Sequence, residues 1–388
     1  MRKSVLFYLA VLAATALSCS KSAEVEEPEP AAQAAELELS DVAKILSCLP
    51  LGEENLSEVH DAVSGSTGNG YDEEYMMQDL FSSPGSGVGS GGVPTKAGGY
   101  SRPLRDLIEQ YVMDGGAPGA AVTKAGGARE YLESLSASDI QIYWPYSDSW
   151  DGESYPIVTF DPGFGSESNY GYEIIPGPDG VTVVDSVYVD ESIAAERPVW
   201  VVNRNDDSAF TPLEMFRRNT KAPAPARAGT DGSKMLLVKD FTMLRNYDSW
   251  FGGASEFFVK CGAVDGFKAT KDDDLKLYTP SVTDFMISVK RSQVKKAQPF
   301  ECILLTDFTD QMDKIAFLVI EDDGGTTTSW KCEATVKYQS KTYGFDIEIP
   351  YKDKDDIVWR GQLSQNFFDS QSEVQGRFGD VIITFSLQ

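Results

Sequence analysis

Trp330-Lys-Cys-Glu-Ala-Thr-Val-Lys-Tyr338 sets apolar side chains at every second position, Trp330, Cys332, Ala334 and Val336, with charged or hydroxyl residues between them. Successive side chains of an extended chain point to opposite faces, so a period of two marks a strand with one buried and one wet face. The same alternation recurs at Phe257/Val259/Cys261 and at Phe300/Cys302/Leu304. Outward from these, candidate strands lie near 235–244, 256–261, 282–290, 300–306, 315–320, 330–338, 342–349 and 381–387, with turn residues between them and no helical pattern. Such a run predicts an antiparallel β-sandwich over 235–388, for which a C2-like arrangement is one candidate topology.

Upstream, Ile140-Gln-Ile-Tyr-Trp144, Pro156–Phe160, Gly171–Ile175, Val181–Val184 and Pro198–Val202 are each bounded by Gly, Pro, Asp or Ser. They predict a middle β domain over 136–218, joined to the sandwich by a linker at 219–234 that contains Ala222-Pro-Ala-Pro-Ala-Arg-Ala-Gly-Thr-Asp-Gly232. Residues 40–135 are helical in period. Ser40 can cap a helix whose Val42, Ile45, Leu46 and Leu49 share a face, and Leu56/Val59/Val63, Tyr75/Met76/Leu80 and Leu104/Leu107/Ile108/Tyr111/Val112 give further stripes. Within that region Ser82–Gly99 is rich in Gly and Ser. Gly87, Gly89 and Gly92 spell GxGxxG there, but Pro84 and serines precede it instead of a strand, so a flexible loop is expected and not a dinucleotide cradle. The expected class is mainly β, α+β overall, with a small helical N-terminal region.

The chain begins with Arg2 and Lys3, then an apolar run from Val5 to Leu17 that is too short to span a bilayer, closed by Ser18-Cys19. This reads as a signal peptide over 1–18, and Leu17-Ser18-Cys19 resembles a bacterial lipobox. The resemblance implies cleavage before Cys19 and acylation of its thiol, with palmitate among the acyl chains, giving an outer-membrane lipoprotein. Residues 19–39, starting Cys-Ser-Lys-Ser-Ala-Glu-Val-Glu-Glu-Pro-Glu-Pro, predict a disordered acidic tether. Acids close behind the cysteine resemble the export signal of Bacteroidota surface lipoproteins, which implies a protein facing outward; a periplasm-facing lipoprotein on a solvated linker is the alternative.

Whole strings carry a further likeness. Ile140–Gly152, Pro198-Val-Trp-Val-Val-Asn203, Tyr247-Asp-Ser-Trp-Phe-Gly-Gly-Ala-Ser-Glu-Phe-Phe-Val-Lys-Cys261 and Glu321-Asp-Asp-Gly-Gly-Thr-Thr-Thr-Ser-Trp330 resemble an uncharacterised family of Bacteroidota lipoproteins. The resemblance brings no activity, so no catalytic residue is carried over.

Charge and residue usage exclude several functions. Thirty-four basic against 60 acidic residues leave a net charge of −26, which repels nucleic acid and anionic head groups, so the membrane is a partner only through the N-terminal lipid. His60 is the only histidine, which removes HExxH proteases and leaves little room for a Ser-His-Asp or Cys-His enzyme. A hydrolase that uses two carboxylates on a glycan stays open. With Cys19 committed to lipid, Cys48, Cys261, Cys302 and Cys332 are either buried small hydrophobes or disulfide partners of undetermined pairing, and the absence of CxxC argues against structural zinc.

Two sets of residues are candidate sites. Acid-rich turns recur at Asp272–Asp274, Asp307/Asp310/Asp313, Glu321–Asp323 and Asp353/Asp355/Asp356. Strand alternation brings the loops at 321–329 and 350–356 to one end of the sandwich, so Asp322, Asp323, Asp353 and Asp355 are the expected ligands of a Ca²⁺ ion, although no EF-hand spacing is present. The other set is aromatic: Trp144, Trp150, Tyr247 and Trp250 at strand ends, either exposed faces for a glycan or peptide or else sandwich core. The expected function is a lipid-anchored, surface-exposed, non-enzymatic binding protein, with the glycan hydrolase as alternative.

Overall fold

The computed structural model describes residues 37–82, 100–176, 182–205, 234–368 and 372–388. The expected signal peptide, Cys19, the expected tether up to residue 36, the expected Gly/Ser loop at 83–99 and the expected linker at 219–233 lie outside the described residues. Ala35–Gln388 forms one compact unit, in which strands predominate and most of the described helices precede residue 137. No helix among the described residues is long and apolar enough to cross a membrane.

The first half runs α1 (Leu39–Ser47), α2 (Glu53–Gly68), β1 (Glu74–Met76), α3 (Met77–Phe81), α4 (Leu104–Met113), α5 (Gly119–Ala125), α6 (Ala128–Ser136), β2 (Ile140–Tyr143), β3 (Ile157–Phe160), β4 (Ser168–Pro176), β5 (Thr182–Asp190), α7 (Glu191–Glu196) and β6 (Val199–Arg204). Helix α1 begins at Leu39, so Ser40 lies inside its first turn and makes no side-chain cap. Its expected apolar face, Val42, Ile45, Leu46, is buried. Asn55 accepts the Gly52 N–H at 3.0 Å at the start of α2 and donates to the Arg102 carbonyl at 2.7 Å. Glu58 accepts the Leu104 N–H at 2.7 Å, placing a carboxylate where α4 leaves its first amides unpaired.

The strands form one sheet in the order β1-β2-β6-β3-β4-β5, antiparallel except for the β3/β6 pair. Period two decides what each face meets. Ile140, Ile142, Trp144, Val158, Trp200 and Val202 join the helices in a single core, while Tyr143, Ile157, Val199 and Val201 look the other way. Burial on both faces is why Val199-Trp-Val-Val202 reads as an unbroken apolar run. Residues on both sides of the expected boundary at 135/136 lie in that one core. The helical region and the middle β domain share one core, in which the helices bury their stripes on each other and on the sheet. Tyr75 and Met76, expected in a helix, extend as β1 and pair with Ile142 and Gln141.

The second half comprises β7 (Lys234–Met243), β8 (Ser255–Ala263), β9 (Ser281–Val289), β10 (Gln298–Phe308), β11 (Met312–Glu321), β12 (Thr327–Tyr338), β13 (Lys341–Lys352), β14 (Asp356–Ser364), α8 (Gln365–Phe368), β15 (Glu373–Phe378) and β16 (Val381–Leu387). Sheet β10-β7-β16-β15 faces sheet β13-β12-β11-β8-β9 across a core built from Phe241, Phe257, Phe300, Phe317 and Phe385. This is the expected antiparallel sandwich, with two strands, β14 and β15, beyond those expected. Strand β12 touches β11 only from Met312 to Lys314, after which β14 takes the same edge as far as Glu321. The β12–β13 hairpin is thereby freed to fold Ile347 and Ile349 over the outer face of β8 and β11, against Phe258, Ala316 and Leu318. Gly262 lets it come close: a β-carbon there would meet Ile347 Cγ2 at 3.0 Å. No disulfide joins Cys48, Cys261, Cys302 or Cys332 among the described residues.

Candidate functional site

The loop leaving β2 turns sharply at Tyr146, which takes a left-handed φ of 59°, and this swings Trp150 back over Trp144. The two rings meet edge-on at 5.3 Å, with Trp200 beneath Trp144 at 5.8 Å and His60 against Trp150 at 5.1 Å. Asp151 then fixes the loop by accepting the Glu153 N–H at 2.9 Å, the Ser154 N–H at 2.8 Å and the Ser154 hydroxyl at 2.5 Å. Those bonds, the Ser154 hydroxyl first, hold its carboxyl down at about 2. The Trp150 Nε1–H donates to the Ser154 carbonyl at 2.9 Å. Together with Tyr155, the β4 end and Arg197, this loop walls a groove of about 540 Å³, within the range of small-ligand sites. Arg197 pairs with Glu173 across its floor.

The expected aromatics separate here. Trp144 and Trp150 line the groove together, although only 1% of Trp144 is exposed, so Trp150 supplies the accessible ring face. Trp250 is fully buried, stacked on Phe251 at 3.9 Å, and its Nε1–H donates to the Glu167 carbonyl at 2.9 Å. It plugs the second face of the first sheet with Phe251, so its ring is core and not a ligand platform. Tyr247 also lies away from the groove, half-buried between the Arg245 guanidinium at 3.8 Å and Phe257 at 5.4 Å.

The acidic residues sort differently from expectation. Asp322 accepts from Lys352 Nζ at 2.8 Å and from the Gly324 N–H at 3.2 Å, Asp353 accepts the Thr326 N–H at 2.7 Å, and Asp355 accepts the Lys352 N–H at 2.7 Å. These three hold two turns at one end of the sandwich. Burial, then the charges of Asp248 and Asp356, lifts the fourth, Asp323, to about 6. What converges instead is Asp248 on the loop after β7, Glu256 at the start of β8 and Glu321 at the end of β11, with carboxylate oxygens all within 4.8 Å of one another. Glu321 has no exposed surface, and neither of its oxygens meets a donor; Asp248 Oδ2 and the Asn246 amide oxygen are likewise buried without one. Burial raises both Glu321 and Asp248, and in Glu321 the neighbouring Asp248 carboxyl raises it further. The sequence shows Glu321 among the acid-rich turns, but its convergence with Asp248 and Glu256 is made by strand pairing and is not visible in one dimension. The available signal was an acid closing an otherwise apolar strand, as in Phe317-Leu-Val-Ile-Glu321.

No protein-family model matches the chain, and the search of curated proteins returned no match. Among solved structures, a chain titled "CC2D1B coordinates ESRCT-III activity during the mitotic reformation of the nuclear envelope" is similar at 7% identity, covering 45% of this chain and 68% of that one with a TM-score of 0.22. A likeness at that score carries no argument about topology or function.

Proposed function

We propose that the protein is a lipid-anchored, outward-facing cell-envelope protein that binds a glycan in the groove beneath Trp150 and does no chemistry on it. The observation that carries this reading is the groove itself. An indole face fixed by its own loop stands over polar walls, and sugars are held by aromatic stacking combined with hydrogen bonds from a few oriented polar groups. Two of the acids that line the groove are already committed. A retaining or inverting hydrolase needs one carboxyl that keeps its proton near neutral pH, whereas Asp151 is held at about 2 and Glu173 is engaged by Arg197.

A soluble-glycan panel titrated into the purified protein, followed by tryptophan fluorescence, tests the reading. Saturable quenching without release of shorter sugars supports it. Cleavage products would establish the carboxylate hydrolase, and binding of peptides but no glycan would replace the ligand class. The anchor is tested separately by Cys19→Ser, which should release the protein from the membrane fraction, and by protease treatment of intact cells, where complete protection would refute the outward placement.

A further inference from the structure

We infer that Asp248, Glu256 and Glu321 form a binding site for one hard divalent cation, Ca²⁺ in the first instance, at the end of the sandwich. Three carboxylates sit within 4.8 Å of one another, and ionised together in a buried place they repel strongly. The second observation is Glu321: a side chain with 0% exposure, set beside the Asp248 carboxyl, neither of whose oxygens meets a donor. Buried polar atoms are left unpaired in this way where a missing partner completes them. The donor set is all oxygen, without Cys or His, which selects a hard cation over zinc or copper. Three oxygens within 4.8 Å of one another share a centre no more than about 2.8 Å from each, so shifts of a few tenths of an ångström bring all three to the usual bond length of about 2.4 Å. Asn246, two residues before Asp248, carries a further buried amide oxygen without a donor on the same loop.

Arg291 lies beside Asp248, but its guanidinium is taken by Glu191 at 2.7 and 3.3 Å and by the Asp248 carbonyl at 3.2 Å, and Glu256 accepts the Ser288 hydroxyl at 3.4 Å. Asp323 and Asp356 add negative charge from the adjoining turn and strand. The consequence is mechanical. Glu256 and Glu321 are on neighbouring strands, with Glu321 opposite Phe257, while Asp248 belongs to the loop that carries Trp250 and Phe251 into the first sheet. A cation there ties that plug to the sandwich.

The test is thermal unfolding and calorimetric titration of the full-length chain in detergent at pH 8, first in EDTA and then with CaCl₂, MgCl₂ or MnCl₂. Expected is one Ca²⁺ per chain, and a midpoint raised by a few degrees at a hundredfold excess over Kd, because the ion binds the folded state alone. Glu321→Gln, which keeps the shape of the side chain, should weaken binding at least tenfold, and Asp248→Asn likewise. A wild-type midpoint that ignores all three cations would overturn the inference, as would unchanged affinity in both variants. A midpoint set only by pH, with no cation dependence, would reassign the cluster to carboxyls sharing protons.

Discussion

The Arg291 guanidinium reaches out of the sandwich to Glu191 at the start of α7, its Nε 2.7 Å from one carboxylate oxygen and its Nη2 3.3 Å from the other. The same carboxylate accepts the Tyr146 hydroxyl at 2.9 Å, and Tyr146 is the turn residue of the groove loop. One ion pair thus connects the sandwich, α7 on the second face of the first sheet and the groove loop. Lys290 adds a second contact across the same junction, between Glu73 at 3.7 Å and Asp148 at 3.2 Å.

Arg291→Ala should therefore destabilise the whole unit and not the sandwich alone. The arginine side chain is 5% exposed but its partner 37%, so the loss belongs below the range for fully buried pairs, about 2 kcal/mol. Urea unfolding followed at Trp150 and by far-UV circular dichroism should shift together. A shift in one signal only would mean that the two halves unfold separately.

Stability should also depend on pH through Glu321. Its folded pKa is raised by burial, then by the Asp248 carboxyl, so the folded state holds a proton that the unfolded chain gives up near 4.3. The stabilising contribution is then complete below that value and is lost as pH rises toward the folded pKa. In EDTA the unfolding free energy should fall from pH 5 to pH 8, and Glu321→Gln should flatten that slope. An equal slope in wild type and variant would refute the assignment.

Gly262 offers a purely steric test. A side chain there meets Ile347 Cγ2 at 3.0 Å, Ile347 Cδ1 at 3.1 Å and Ile349 Cδ1 at 3.3 Å. Gly262→Val should lift the β12–β13 hairpin and cost about 1–3 kcal/mol, the range for an overfilled core, read as a lower denaturant midpoint. Hydrogen exchange should quicken in β13 more than in β16, which lies in the opposite sheet.

The sandwich was legible because strands such as β8 and β12 alternate between a core and a second surface, and alternation survives in one dimension. Strands β14 and β15 were not, since Asp356-Ile-Val-Trp-Arg-Gly-Gln-Leu-Ser364 and Glu373-Val-Gln-Gly-Arg-Phe378 are largely exposed and carry little apolar pattern. The helix stripes were visible, but their destination was not: nothing local in Val42, Ile45 and Leu46 says that a sheet arriving a hundred residues later will cover them. Trp144 and Trp150 were found as an aromatic pair, yet Trp250 carried the same outward signal and proved to be core. Composition cannot separate a ring that lines a groove from one that fills a layer. The convergence of Asp248 with Glu256 and Glu321 is a product of strand pairing, so the acid-rich turns beside it drew the attention that the strand ends merited.

Trp150 carries the last prediction. Its ring is the accessible aromatic face contributed by the groove loop, held by Trp144 at 5.3 Å, His60 at 5.1 Å and its own bond to the Ser154 carbonyl. Trp150→Ala removes the stacking surface while leaving Asp151, Ser154 and the Glu173–Arg197 pair in the chain. Stacking contributes about 0.5–1.5 kcal/mol beyond the apolar area that the ring buries, itself worth about 25 cal/mol per Å², so glycan affinity should drop about tenfold. Tyr247→Ala, a comparable truncation outside the groove, should leave affinity unchanged. Near-UV circular dichroism of both variants checks that the Trp144/Trp200 layer is intact. Equal loss in the two variants would place the effect in general destabilisation, and no loss in Trp150→Ala would remove the groove as the binding site.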